Sequence, residues 1–215
     1  MSDAHLLSDE LLLAYATGES SEAMSLFAAA HLCLNPAARA VLRRLEAGLA
    51  AGLESAPTAL LEQDAFAKLL GRLDETPAAP MVPTQPALET EFEIPEPLWP
   101  YLQDLDWRSV VPGRVKQVEL ELKEGQTPLA LVWMRPGFRV PVHSHHGPEF
   151  NLVLSGGFTD LDQDFLPGDV AQRGPEHEHD MQVHKDGPCV VLVMRDGPLI
   201  PRSAVAHLAS WFTGF

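Results

Sequence analysis

The first third of the chain predicts helices, because its apolar residues recur with a period close to that of an α-helix. Ser8 and two acidic residues precede an apolar segment that ends at Gly18, which is the order of an N-cap, an acidic first turn and a C-terminal glycine. Ser20 or Ser21 can cap a second helix. The buried face of that helix is predicted at i, i+3, i+4 and i+7, which are Met24, Phe27, Ala28 and His31.

Two more helices are predicted before residue 74. Asn35 followed by Pro36 is typical of an N-cap with proline at the first helical position, and Asp64 is a candidate cap for the fourth helix. The apolar stripes of these two helices are Val41, Leu42, Leu45, Leu49 and Leu53, and then Phe66, Leu69, Leu70 and Leu73. We therefore expect residues 1–75 to form a small helical domain, either a compact bundle or a partly open one that presents an apolar groove to a partner.

The composition of the chain changes abruptly after the helical segments. Residues 75–100 contain seven prolines and neither lysine nor arginine. Proline favours extended, semi-rigid chain, so we expect residues 76–100 to be a linker that spaces two domains apart and lets them reorient.

Beyond the linker the apolar pattern is that of strands. Four segments, at 113–122, 128–136, 150–156 and 189–196, are rich in valine and leucine and are separated by glycine and proline turns. Together with the helices, they predict an α+β chain of two domains, with the β domain at residues 101–215.

One part of the β domain carries a metal-binding pattern. Between Gly137 and Gly156, the residues His143, His145 and Glu149 stand in a Gly-x5-His-x-His-x3-Glu-x6-Gly frame. Residues two apart in a strand point to the same face, so both histidines can enter one cavity, and the glutamate joins them from the next strand after a His-Gly-Pro turn. The alternative is that these histidines only decorate a polar loop. The metal site is favoured, because the flanking pattern fits strand, turn, strand.

This frame resembles the first of two signature motifs of the cupin superfamily, which are small jelly-roll-like barrels (double-stranded β-helices) that hold a metal ion inside. The resemblance implies a further histidine from a second motif, which residues 165–184 supply. His179 is favoured because a strand is predicted directly after it, and His177 stays open as its competitor. Ligand type suits zinc, Fe(II), manganese or nickel about equally. The implied ligands of one divalent ion are His143, His145, Glu149 and His179.

The chain is acidic in both halves, with a formal net charge of −15 over 215 residues. Residues 1–75 hold 5 basic against 11 acidic side chains, and residues 76–215 hold 10 against 19. Direct nucleic-acid binding is disfavoured, since phosphate contacts require a basic face, whereas a basic protein partner is compatible. There is no apolar run of about 18 residues and no basic leader, so we expect a cytoplasmic protein that does not enter a membrane.

The helical segments reduce the number of functions that are compatible with a cupin domain. Residues 11–35 (LLLAYATGESSEAMSLFAAAHLCLN), followed by a helix, a proline-rich linker and a C-terminal cupin domain, resemble the ChrR family of zinc-binding anti-sigma factors over essentially the whole chain. The resemblance implies a bacterial transcription regulator whose helical domain binds an extracytoplasmic-function sigma factor. It also implies that the cupin domain, with zinc as the expected metal, takes part in releasing the sigma factor under oxidative stress.

The helical domain departs from that family at its metal ligands. The family holds zinc there through an upstream histidine and a His-x3-Cys-x2-Cys unit, whose positions are occupied here by His31, Asn35 and Ala38. Both thiolates are missing, and Cys33 does not restore the spacing. We therefore expect no zinc in the helical domain. We expect the Asn35 cap to begin the third helix instead, and His31 to be satisfied by a hydrogen bond or by solvent.

Two classes of function stay open from the sequence. The first is a regulator with a sensing cupin domain, and the second is a metal-dependent cupin enzyme, such as a dioxygenase, isomerase or hydrolase, with a helical extension. Regulation is favoured, because such an enzyme has no evident need of the extension. A homodimer also stays open, since cupins often dimerise. In either class we expect open coordination positions to face a cavity lined by residues such as Val153, Trp133 and Met194.

Overall fold

The computed structural model describes residues 5–73, 84–86, 92–103, 105–123, 127–195 and 199–201, so most of the predicted linker lies outside the described residues. Among these, no helix by itself is long and apolar enough to cross a membrane; the second and third meet that test only as a pair bent by 118°. Helices α1 to α4 span Asp9–Thr17, Glu22–Leu34, Pro36–Glu54 and Ala65–Leu73, and a 3-10 helix spans Glu96–Tyr101.

The caps predicted from the sequence begin and end the first helices. Ser8 and Ser21 each accept a hydrogen bond from the backbone N–H three residues on, and Gly18 follows α1 with a φ of 74°. The side-chain oxygen of Asn35 accepts the first two free N–H groups of α3, and Pro36 stands at its first position. The Asn35 cap therefore begins the third helix, as expected.

The rest of the described chain forms antiparallel β-structure. One sheet has the order β1-β2-β3-β10-β5-β8 and the other β11-β4-β9-β6-β7, which confirms the predicted α+β class with a two-sheet cupin-like barrel. Strands β1 to β11 span Arg108–Val111, Val115–Glu119, Leu129–Met134, Arg139–His145, Glu149–Ser155, Phe158–Asp160, Gln163–Phe165, Val170–Arg173, His179–Val183, Cys189–Arg195 and Leu199–Pro201.

The six-stranded sheet is buried on both faces. Its central strands β3, β5 and β10 are almost continuously buried, as expected when a sheet is covered on both sides. Val153 and Val191 point into the barrel, where they pack with Phe158 and Phe165 of the five-stranded sheet. The alternate residues of the same strands point out of the barrel and need a separate cover.

Helix α2 supplies that cover. The ring of Phe27 lies 6.0 Å from that of Phe150 in β5, and the 3-10 helix adds the fully buried Leu98 to the same apolar cluster. Tyr101 also hydrogen-bonds to Glu22 of α2 over 3.0 Å. The expectation that the linker spaces the two regions apart is therefore wrong for the described residues, because the outer face of the sheet is apolar and α2 packs on it.

A second contact fastens the helices to the turn before β8. Asn35 uses its side-chain N–H to donate to the carbonyl of Gly168 over 3.0 Å, and the N–H of Val170 donates to the carbonyl of His5 over 2.8 Å. Gly168 has a φ of 92°, and a Cβ at this position would lie 3.3 Å from the Leu34 carbonyl oxygen. A residue without a side chain is needed there for both reasons.

Among the residues that the structure describes, none covers the far end of the helical region in the same way. Leu53 in α3 is 76% exposed, and α4 has no buried residue at all. Of the two arrangements expected from the sequence, the structure has the open one. The apolar side chains left exposed on α4 define what we call the α4 face: Phe66, Leu69, Leu70 and Leu73.

His31 is fully buried in α2. Among the described residues neither of its ring nitrogens has a hydrogen bond of regular geometry, and the backbone of Gly168 is the polar group that interacts with the ring. Burial lowers the pKa of His31 to about 4, and the nearby backbone of Gly168 only partly opposes this effect. The imidazole is therefore neutral at pH 7.

The double role of Asn35 can be separated by two substitutions. Asn35→Ala removes both the cap and the bond to Gly168, and should lower the free energy of unfolding by about 2 kcal/mol. Asn35→Asp keeps the capping oxygen but has no N–H for the carbonyl, so it should still be less stable than the native protein. Urea unfolding followed by circular dichroism measures both. If Asn35→Asp is as stable as the native protein, the bond to Gly168 contributes nothing.

Burial of neutral His31 predicts a pH dependence of stability. The pKa is about 4 in the folded state and near 6.5 in the unfolded chain, so the unfolded state gains a proton first as the pH falls. The contribution of His31 to the free energy of unfolding is full above about pH 6.5 and decreases toward pH 4, by up to about 3 kcal/mol.

Urea unfolding at pH 7.5 and pH 5 tests this prediction. The free energy of unfolding of His31→Leu should decrease less between the two pH values than that of the native protein. His177→Leu, which changes an exposed histidine, should keep the full decrease; equal decreases in all three proteins would contradict this assignment.

Candidate metal centre

Four buried side chains meet inside the barrel at one end of the two sheets. His143 and His145 lie at the end of β4, Glu149 begins β5, and His179 begins β9. Each is at most 4% exposed. One ligand atom from each of the four lies within 4.8 Å of the other three. The structure therefore brings together all four residues that the sequence predicted as ligands.

Local backbone geometry explains the convergence. His143 and His145 are two apart in β4 and share its inward face, and His143 pairs in register with His179 of the neighbouring strand. The turn after β4 carries the chain into the other sheet, where Glu149 is the first residue of β5. Both sheets must close on each other before the glutamate meets the histidines.

His177 does not join this group. Its side chain is 46% exposed and approaches that of Glu176 within 3.0 Å, and one of its ring nitrogens accepts the N–H of Gly174. Of the two histidines left open by the sequence, the structure places His179 with the other three residues.

Hydrogen bonds orient two of the three imidazoles. Nδ1 of His143 lies 2.8 Å from the carbonyl oxygen of Pro141, which can only accept, so this nitrogen carries the hydrogen and Nε2 keeps its lone pair. Nδ1 of His179 lies 3.0 Å from the carboxylate of Asp160. By the same reasoning the lone pair of His179 is at Nε2. Nδ1 of His145 is buried and has no partner among the described residues.

Burial also sets the protonation of the histidines. It lowers the pKa of both His143 and His145, while the charge of Glu149 opposes the change in each case. These side chains are therefore neutral near pH 7, which is the form that binds a metal ion.

The buried charge of Glu149 is compensated by its neighbours. In register with it lie Arg173 on β8 and Arg195 on β10, one on each side. Burial lowers the pKa of Arg195, and the charges of Glu149 and Glu119 oppose that effect. Asn151, two residues along β5, donates a hydrogen bond to Glu149 over 2.8 Å. The carboxylate is thus fixed in place before any ligand arrives.

The donor set fits a divalent metal ion. Nε2 of His179 and Nε2 of His145 lie only 3.0 Å apart, and two nitrogen lone pairs at that distance repel unless a cation or a proton lies between them. Three imidazoles and one carboxylate suit zinc, iron, manganese or nickel. A bound ion would supply Lewis acidity and open coordination positions at this end of the barrel.

The predicted lining of the cavity needs a correction. Val153 points into the barrel, but Trp133 and Met194 belong to the apolar cluster on the outer face of the same sheet. Alternation explains the difference: Met194 pairs with Phe150, whose ring meets the helices, whereas Arg195 pairs with Glu149. The two side chains thus belong to the contact with the helical region and not to the metal centre.

Several polar residues around the centre were not found from the sequence. Asp160 and Arg173 are both buried, and they form an ion pair behind His179. The available signal was a polar residue at an inward position of a strand, since Asp160 shares its face with Phe158 and Arg173 with Ala171. That signal is recognisable only when the faces of these short strands are known.

Known proteins resemble the chain in sequence and in fold. Residues 100–199 match the family described as the ChrR Cupin-like domain. The anti-sigma-E factor ChrR of Cereibacter sphaeroides is 37% identical over 217 residues, which is 99% of both chains. A crystal structure of Rhodobacter sphaeroides SigE in complex with the anti-sigma ChrR has a chain that is 33% identical, with a TM-score of 0.72, covering 89% of this chain and 98% of that one.

More distant structures with a lower similarity include cupin proteins. An RmlC-like cupin protein from Ralstonia eutropha is 17% identical, with a TM-score of 0.41, and covers 45% of this chain and 66% of its own. Similarity at that level says nothing about function. The identity over the whole length, by contrast, includes the helices, the linker and the barrel. The chain therefore belongs to the ChrR family of anti-sigma factors.

Proposed function

We propose that this protein is an anti-sigma factor whose helical region binds an extracytoplasmic-function sigma factor. The observation that carries the proposal is its 37% identity to an anti-sigma-E factor over essentially the whole of both chains. The resemblance in fold to a chain from a SigE–ChrR complex supports the same partner. Sigma factors act with RNA polymerase, so this partner also implies action in the bacterial cytoplasm.

The α4 face is the surface that we assign to the sigma factor. Its four side chains are between 47% and 72% exposed, and they follow the i, i+3, i+4, i+7 spacing of a helix that lays one face into a groove. Leu49 and Leu53 continue the exposure of apolar residues at the end of α3. Apolar side chains grouped in this way are typical of an interaction site.

The barrel is proposed as the sensing module, with one divalent ion held by His143, His145, Glu149 and His179. Zinc is the expected ion from the family, and the donor set also admits iron, manganese or nickel. Strand β8 supports communication between the modules, because its first residue bonds to the segment before α1 and its last is paired with Asp160 beside His179. Oxidants or small ligands that alter the centre would act on the helices through this strand.

The proposal also includes the predicted domain boundaries, the absence of direct nucleic-acid binding and a possible homodimer. The domain boundaries are 1–75, 76–100 and 101–215, although α1, α2 and the start of α3 pack with the barrel in the described residues. The acidic charge of both halves supports the absence of direct nucleic-acid binding. A homodimer stays a prediction to be tested by the mass of the protein in solution.

Substitutions on α4 test the docking surface. Leu69→Gln with Leu73→Gln removes two exposed leucines, and should weaken capture of a sigma factor by at least about 100-fold, because burial of each leucine contributes about 1.5–3 kcal/mol. Lys68→Gln is the matched control on the opposite side of the same helix, and should bind as the native protein does. The probes are any sigma factor encoded beside the gene of this chain and SigE of Rhodobacter sphaeroides, with affinity measured by calorimetry. Capture of neither by the native protein would refute the proposed function.

Metal analysis tests the proposed centre. The full-length protein should carry one divalent ion per chain, or take one up from added zinc at neutral pH. His179→Ala should lose this binding, whereas His177→Ala, two residues away and exposed, should keep it. Stoichiometry is measured by elemental analysis after dialysis, and stabilisation by thermal unfolding with and without zinc. A native protein that cannot be loaded, or equal loss in both variants, would contradict this ligand set.

A further inference from the structure

A buried ion pair stands directly behind one of the proposed ligands. Asp160 of β6 is 1% exposed; one of its carboxylate oxygens lies 3.0 Å from Nδ1 of His179, and the other lies 2.8 Å from Nε of Arg173. The contact between Asp160 and Arg173 is an ion pair, and its geometry is not that of a hydrogen bond. Asp160 belongs to the five-stranded sheet and Arg173 to the six-stranded sheet, so the pair joins the two sheets across the barrel.

Such a pair is costly to bury, and stability alone is a weak reason for it. Its position points to a different role. An imidazole can present Nε2 to a metal ion only if Nδ1 carries the hydrogen, and a hydrogen-bond acceptor at Nδ1 fixes both this tautomer and the direction of the ring. Asp160 is that acceptor for His179, as the Pro141 carbonyl is for His143.

Arg173 in turn fixes the acceptor. Besides its contact with Asp160, its guanidinium donates to the carbonyl of Gln172 over 2.9 Å and lies 5.5 Å from the centre of the Phe165 ring. An arginine held at three points leaves the carboxylate of Asp160 little freedom to rotate. Arg173 also balances the buried negative charge of that carboxylate.

We propose that Asp160, held by Arg173, is the positioning residue that directs Nε2 of His179 into the metal centre. This inference rests on the proposed metal binding of the barrel. It concerns neither a new ligand nor a reaction step. It states that the affinity and geometry of the centre depend on a residue outside the four ligands.

The test compares metal affinity and imidazole tautomer in full-length protein. Asp160→Asn should weaken binding of zinc by about 10- to 100-fold and change the visible absorption bands of the cobalt-loaded protein. Asp164→Asn is the matched control, since this exposed aspartate on β7 contacts Thr159 and His184 instead of a ligand. It should keep both the native affinity and the native spectrum. Nitrogen-15 NMR of the metal-free protein should show the hydrogen of His179 on Nδ1 in the native chain, and a mixture of tautomers in Asp160→Ala.

Loss of one partner leaves the other charge buried, so a second variant protects the test against unfolding. Asp160→Leu with Arg173→Met removes both charges and the acceptor for Nδ1 of His179, and replaces the pair by apolar side chains of similar size. It should fold and still bind zinc at least about 10-fold more weakly than the native protein.

The outcomes separate this inference from the proposed function. If the native protein binds zinc and the double variant binds it equally well, Asp160 is not a positioning residue, whereas the metal centre stands. If the native protein binds no zinc, the metal centre fails, and the tautomer of His179 alone decides the inference: an unchanged tautomer in Asp160→Ala overturns it, and a changed one supports it.

Discussion

The apolar outer face of the six-stranded sheet is the constraint on which the rest of the structure depends. Strands β3, β5 and β10 carry large apolar side chains on both faces, and only one of these faces can point into the barrel. Burial of apolar surface contributes roughly 25 cal/mol per Å², so a face of this size cannot remain in water without a large loss of stability. Helix α2 and the 3-10 helix cover it, and this joins α1, α2 and the start of α3 to the barrel in one folded body.

The candidate metal centre depends on closure of the same barrel. Its three histidines come from the five-stranded sheet and its glutamate from the six-stranded sheet, so no ligand set exists until the two sheets pack. Arg173 and Arg195 then balance the buried negative charges. Hydrogen bonds from Asn151 to Glu149 and between Asp160 and His179 fix the orientation of the two ligand side chains. Because β8 contacts this network at Arg173 and the segment before α1 at Val170, the centre and the helical region share a strand.

Helices α2 and α4 both carry apolar side chains but are covered to very different extents. Eight of the 13 residues of α2 are buried, on several sides of the helix, whereas the apolar stripe of α4 lies on one side and is exposed. The six-stranded sheet covers α2, whereas none of the described residues covers the apolar side chains of α4. Exposed apolar side chains grouped in this way are typical of an interaction site.

The sequence by itself determined the local features. Caps at Ser8, Ser21 and Asn35 follow from residue type and neighbours, and the metal-binding frame follows from spacing within one strand and turn, because these interactions join residues close in the chain. Only the tertiary structure decided which histidine of the second motif joins the centre, that Trp133 and Met194 face the helices, and that Asp160 meets Arg173. Those outcomes depend on which strands pair and which face of each is inward, and a shift of one residue in register would reverse every face.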